Sequence, residues 1–192
     1  MGGIRRPWTW LVGGLCALAI GLLAALVLMP PRGTAPLADV PMTDHHGKPA
    51  SWSSYRGKWL VVYFGYTGCP DACPTGLSEL AKEMKALGKD AERVQVVLVT
   101  LDPERDTPEV LAGYVPYFAP TFVGLRPDRA RMAAVIRPFG VQVEKTPGKS
   151  GQGYELNHSL DFFVIDPEGR LQSRFLTPLP PGAFRQTLHL AS

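Results

Sequence analysis

Cysteine is scarce in this chain: three in 192 residues. One of them, Cys16, lies inside a long apolar run, so only Cys69 and Cys73 remain for the rest of the protein. A disulfide-dense scaffold is therefore excluded. The paired Cys-x-x-Cys clusters of a structural zinc module are absent, and so is the two-residue spacing of thioredoxin-type catalysts. No internal repeat and no low-complexity tract occurs. Charge of one sign is also missing where it counts. The formal charge is +3, but Arg5, Arg6 and Arg32 flank the apolar run; without them 17 basic residues face 17 acidic ones. The remaining domain is formally neutral, so the basic pI is no evidence for nucleic-acid binding.

Residues 8–29, WTWLVGGLCALAIGLLAALVLM, contain no charged residue. As a helix they would span about 33 Å, against about 30 Å for a hydrocarbon core. A cleaved secretory signal would have a shorter apolar core and small residues at its end; this run ends in Met29-Pro30-Pro31-Arg32. An uncleaved single-pass anchor is expected, with Cys16 a small residue in the membrane rather than a lipidation site. Arg5 and Arg6 precede the span and Arg32 alone follows it, which keeps residues 1–7 cytoplasmic. Residues beyond about 33 then face the periplasm of a bacterium. Residues 30–40, rich in proline and small side chains, read as a semi-rigid linker, and 41–192 as one folded domain.

Within that domain the pattern alternates. A hairpin is expected around His46-Gly47-Lys48. Residues 59–67, WLVVYFGYT, form a doubly buried strand. A helix follows from near Pro74, with Leu77, Leu80, Ala81, Met84 and Leu87 on one face. Residues 94–100, VQVVLVT, are a second central strand. Asp106-Thr107-Pro108 opens a second helix, 122–125 form a short strand and 127–139 a third helix. Residues 141–156 read as a Gly-rich mobile loop. Strands at 160–165 and 171–175 flank the turn Asp166-Pro167-Glu168-Gly169, and a last helix covers about 181–190. The order β-α-β-α-β-β-α with additions is an α/β thioredoxin-like arrangement with helices on both faces of a mixed sheet.

Cys69 and Cys73 follow the first central strand and precede a helix, a position where ligands and reactive groups collect. The helix amino terminus favours thiolate over thiol. A tight loop before Pro74 should fold both sulfurs toward one point. Of the histidines, His45 and His46 fall in the hairpin turn and His189 in the last helix. His158 ends the Gly-rich loop just before a strand, beside the cysteine loop in such a fold. Two thiolates and one imidazole suit copper; zinc accepts the same donors but prefers a fourth. A cysteine pair outside the cytoplasm is more often a disulfide, and a histidine before a strand is more often a structural hydrogen-bonding residue. Disulfide and metal both remain open on the residues alone.

Three blocks resemble the Sco/SenC family of copper proteins that assist assembly of cytochrome c oxidase: FGYTGCPDACPTGLSEL (64–80), VTLDPERDTPEVLAGYV (99–115) and NHSLDFFVIDPEGRL (157–171). The resemblance covers roughly residues 38–190. It implies a thioredoxin-like fold and copper ligation by Cys69, Cys73 and His158. It also implies a metallochaperone role toward the copper-containing subunit of cytochrome c oxidase, with another periplasmic copper carrier as a further partner. The alternative is a thiol–disulfide oxidoreductase that keeps the oxidase's copper-ligand cysteines reduced through Cys69 and Cys73. Family members often carry Asp before the ligand histidine; here Asn157 stands there. Asp71 and the Asp102-Pro103 loop are candidate partner contacts, with ordinary surface turns the simpler reading. A peroxiredoxin-like peroxidase would share the fold, but needs an arginine and a threonine at one thiolate; Thr67 is near, and the arginines nearest Cys69 in sequence are Arg56 and Arg93.

Overall fold

The computed structural model describes residues 35–148 and 153–188. The expected anchor at 8–29 and His189 lie outside the described residues. Among the described residues no helix is long and apolar enough to cross a membrane.

A seven-stranded mixed sheet forms the centre, in the order β2-β1-β5-β4-β3-β8-β9. β1 (Met42–Asp44) and β2 (Pro49–Ala50) make the expected hairpin. β3 (Trp59–Gly65), β4 (Val94–Thr100) and β5 (Val123–Pro127) run parallel, joined by α1 (Ala72–Leu87) and α2 (Pro108–Tyr114). Leu60 to Gly65 are all buried, because helices and loops cover both faces of a central parallel strand. β8 (Phe162–Ile165) and β9 (Leu171–Phe175) add antiparallel strands beside β3, and α4 (Ala183–Thr187) ends the described fold. The core is aromatic-rich, with Tyr63, Phe64, Phe122, Phe162, Phe163 and Phe184 fully enclosed.

Several expectations are corrected. β5 runs through Pro127, and the third helix shrinks to α3 (Met132–Ile136) plus a 3-10 turn at Arg137–Phe139. The Asp128 carboxylate accepts the Arg131 N–H at 2.8 Å and holds the intervening residues in a turn. The loop expected over 141–156 instead contains β6 (Val143–Pro147) and β7 (Tyr154–His158), an antiparallel pair. Five cross-strand pairs from Val143↔His158 to Pro147↔Tyr154 make the hairpin, although β6 is almost wholly exposed and shows no alternation of burial. The last helix is shorter than expected and begins at Ala183, after Gly182. His45 is not an exposed turn residue: it is buried, and its Nδ1 accepts the Gly124 N–H at 3.0 Å. Burial pushes its pKa down.

The antiparallel pairing of β3 with β8 sets Tyr63 opposite Phe162. The residues that leave β3 and those that enter β8 therefore share one end of the sheet. Helix α1 lies close over β3 because residue 76 is glycine. A Cβ there would meet the Tyr63 Oη at 2.7 Å, and the Tyr63 ring is fully buried. Gly76→Ala should therefore destabilise the protein by about 1–3 kcal/mol through overpacking, although alanine favours a helix by about 1 kcal/mol. Gly113→Ala, on α2 with nothing within 4 Å of the added methyl, should be neutral or stabilising. Denaturant midpoints of both variants check this. Equal stabilisation at the two positions would contradict it.

Candidate metal centre

Gly65 ends β3, and the chain turns sharply through Tyr66 to Asp71 before α1 begins. The helix starts at Ala72, two residues earlier than expected, so Cys73 and Pro74 both sit in its first turn. Pro74 costs nothing there, since the first amides of a helix have no partner within it. The orphan N–H of Cys73 points back to the Cys69 sulfur at 3.3 Å. The Cys73 sulfur is wholly buried and packs against the bare Cα of Gly65, where a Cβ would stand 3.0 Å from it. Cys69 is half-buried, and both cysteines are free.

From the other side of the sheet's end, His158 closes β7. Its Nδ1 lies 2.8 Å from the Ser159 carbonyl oxygen. A carbonyl only accepts, so Nδ1 carries a proton, and in the neutral ring Nε2 has its lone pair available. Nε2 stands 3.5 Å from the Cys73 sulfur, and the Cys69 sulfur accepts the Cys73 N–H. Cys73 thus touches both of the other sequence-picked residues. A sulfur about 2.3 Å and a nitrogen about 2.0 Å from a shared ion, near the trigonal or tetrahedral angle, would be about 3.5–3.7 Å apart. The Cys73–His158 spacing fits that range. Among the described residues no group of three or more His, Cys, Asp or Glu is placed to hold a metal ion as the chain stands.

The two thiols differ sharply in acidity. The Cys69 thiol is lowered to about 4 by its hydrogen bond with Cys73, against a desolvation cost, with His158 and backbone amides assisting. The Cys73 thiol is pushed up by the hydrogen bond to Cys69 and by burial. The metal-free pair therefore rests as one thiolate and one thiol, and the first proton lost belongs to the pair.

Two buried carboxylates hold the surrounding loops. Asp106 is fully buried and accepts the Thr67 N–H at 3.0 Å, the Thr67 hydroxyl at 2.5 Å and the Thr100 hydroxyl at 2.5 Å. This anchors the turn that carries Cys69. It also occupies the Thr67 hydroxyl, which a peroxidase would need free. Asp102 is not a surface contact: it is 3% exposed, accepts the Tyr154 hydroxyl at 2.7 Å and is paired with Arg105. Asp71 is exposed, as expected. Asn157 is exposed and on the opposite face of β7 from His158, paired with Glu144. Sequence reading missed Gly65, Asp106, Arg105 and Tyr154. The signal for Asp106 was read as a helix start; Arg105 sits in the same quoted block and comes to within 3.8 Å of a Cβ placed on Gly68.

The SCO1/SenC family model matches residues 37–189. The chain belongs to the SCO1/SenC family. The fold is shared with Bradyrhizobium japonicum ScoI, solved with copper bound: TM-score 0.73, 36% identity, covering 82% of this chain and 100% of that one. Yeast Sco1, also solved with copper bound, matches with TM-score 0.71 and 28% identity over 81% of this chain and 88% of its own. The mitochondrial SCO2 homologue of Mus musculus is 35% identical over 133 residues, 68% of this chain and 52% of its own. The chain thus spans about half the length of that mitochondrial relative. The expected thioredoxin-like Sco fold is borne out.

Iodoacetamide alkylation of the reduced, metal-free chain tests the acidities. Because the Cys69 pKa lies below an ordinary thiol's value of about 8.5, its thiolate persists as pH falls and is lost only through about 4. The Cys69 rate should stay nearly flat from pH 8 to pH 5, with Cys73 unreactive. A tenfold fall per unit from pH 8 downward would contradict it.

Proposed function

We propose that this chain is a membrane-anchored copper carrier of the SCO1/SenC family, with Cys69, Cys73 and His158 as its copper ligands. Residues 8–29 hold it in the cytoplasmic membrane of a bacterium, with the copper domain on the periplasmic side. It serves assembly of the copper-containing subunit of cytochrome c oxidase. The single observation that carries this reading is the 3.5 Å approach of the His158 Nε2 to the Cys73 sulfur, while the Cys69 sulfur accepts the Cys73 N–H at 3.3 Å.

The three donors divide the work. Cys69, half-exposed and already a thiolate, is the port of entry for a soft cation. Cys73 gives up its proton as it binds, so loading releases a proton and is favoured by rising pH. His158 offers its Nε2, because Nδ1–H is held by the Ser159 carbonyl. A set of two sulfurs and one nitrogen at the rim of the domain leaves room for an incoming ligand of the recipient. Copper then passes by exchange of one donor for another, without net redox change.

A second reading has its own observation. An accessible thiolate beside a buried protonated thiol is the arrangement of a dithiol reductant. Cys69 would attack a client disulfide and form a mixed disulfide. Cys73 would lose its proton and displace the client, leaving Cys69–Cys73 oxidised by two electrons and the client with two thiols. Cysteine ligands of the oxidase copper centre are the fitting client.

The full-length reduced chain, loaded with copper and dialysed, should keep about one copper per chain. His158→Ala should weaken retention by more than about 100-fold, beyond the 10–100-fold typical of outer partners of a metal ligand. Unchanged retention would remove His158 from the site. The second reading gains if the chain isolated from cells carries no copper and its dithiol potential falls between about −120 and −270 mV, as in exchange catalysts. Copper in the isolated chain with a potential below that range would dismiss it.

A further inference from the structure

The ligand histidine sits on a sheet that does not belong to the main one. Among the described residues β6 and β7 pair only with each other, and no backbone ladder ties them to the seven-stranded sheet. The cysteines, in contrast, are fixed directly to β3 and α1. The β3–β8 ladder brings His158 to the right end of the sheet but stops at Phe162, so side-chain contacts set how far the imidazole stands from the sulfurs.

The side chains that bridge the gap converge on Arg105, in the loop after β4. Its Nη1 donates to the Tyr154 carbonyl at 3.1 Å, at the first residue of β7. Its guanidinium lies over the Tyr154 ring, 3.9 Å from the centroid, and reaches the Tyr66 ring at 5.7 Å. Its Nε donates to Asp102, whose other oxygen accepts the Tyr154 hydroxyl. Tyr66 completes the bridge: its hydroxyl accepts the Leu156 N–H at 3.3 Å, and its ring packs edge-on to His158 with centroids 6.0 Å apart. Lys145, from β6, lies on the Tyr154 ring at 3.5 Å.

A planar guanidinium can donate in two directions while stacking on an aromatic face; an ammonium cannot do both. Asp102 needs a cation, because it is buried and a carboxylate there would otherwise be unpaired. Arg105 therefore ties the β7 strand to the Asp102 loop and the Tyr66 end of β3, two parts that the β3–β4 ladder already joins to each other.

We infer that Arg105 is a positioning residue for His158, latching the β6–β7 hairpin at the distance where the imidazole and the two sulfurs share one ion. It touches no copper ligand. The inference rests on the copper reading for its purpose, but the latch itself exists without metal and is testable without it.

Two variants of the full-length chain separate these claims. Arg105→Met removes the fork and the charge; Tyr154→Phe keeps the stacking ring and removes only the hydroxyl's bond to Asp102. In the metal-free chain, amide hydrogen exchange across residues 154–158 should speed up about tenfold or more in Arg105→Met, as expected when a charge-assisted hydrogen bond is lost. Exchange in β3 and β4 should stay as in the wild type. Tyr154→Phe should give a smaller change in the same segment, and it carries the test if Arg105→Met does not fold. On the Cu(II)-loaded chain, electron paramagnetic resonance should show the imidazole nitrogen coupling weakened in Arg105→Met while sulfur ligation persists. Unchanged exchange in 154–158, or a loss of protection spread equally over β3 and β4, overturns the latch. A wild-type chain without nitrogen coupling overturns the copper assignment of His158 instead, and the exchange result still decides the latch.

Discussion

The ladder that joins β3 to β8 in opposite directions sets Tyr63 against Phe162, and the positions of all three donors follow from it. Parallel strands bring their carboxyl ends to one edge; an antiparallel neighbour brings its amino end to the same edge. Cys69 and Cys73 follow β3 there, and His158 arrives there at the end of β7, just before β8 begins. If β8 ran parallel to β3, the imidazole would stand at the far end of the sheet. The core that fixes this ladder is dense and aromatic, with Phe64, Phe139 and Phe163 in mutual edge-on contact behind the site. Rigidity behind the cysteines is what lets the metal-facing rim remain partly open.

The carboxylates buried near the site are each answered. Asp106 takes three hydrogen bonds and Asp102 takes a tyrosine hydroxyl and an arginine. Carboxylates buried this deeply would be costly unpaired; paired, they fix loops that a sheet cannot reach. The same economy governs the sulfurs. Cys69 is stabilised as a thiolate by the Cys73 thiol and amide, and the Cys73 thiol faces the His158 lone pair. On the proposed copper reading, a cation entering this set would replace one shared proton.

Much of this was legible in the sequence, for reasons that particular residues make plain. WLVVYFG read as a buried strand because both faces are apolar, and Leu77, Leu80, Met84 and Leu87 read as a helix because their spacing is helical. The Cys69, Cys73 and His158 trio was found because thiols and imidazoles are rare here and stand at element ends. The β6–β7 hairpin was missed because β6 is almost wholly exposed and its sequence, VEKTP, carries no apolar alternation to read. His45 was misplaced because its burial depends on a bond to Gly124, far along the chain. Gly65 and Gly76 carry no chemistry of their own, and only coordinates reveal that a methyl group there would strike Cys73 or Tyr63. Arg105 was visible as a residue and invisible as a bridge, since its partners Tyr66 and Tyr154 come from opposite sides of it in sequence.

X-ray absorption at the copper edge of the loaded full-length chain tests the central claim most directly, because it counts the atoms bonded to the ion. The account requires a first shell of two sulfurs and one nitrogen, with the outer-ring scattering of a single imidazole. A shell of oxygen and nitrogen without sulfur, or two sulfurs with no imidazole, would contradict it.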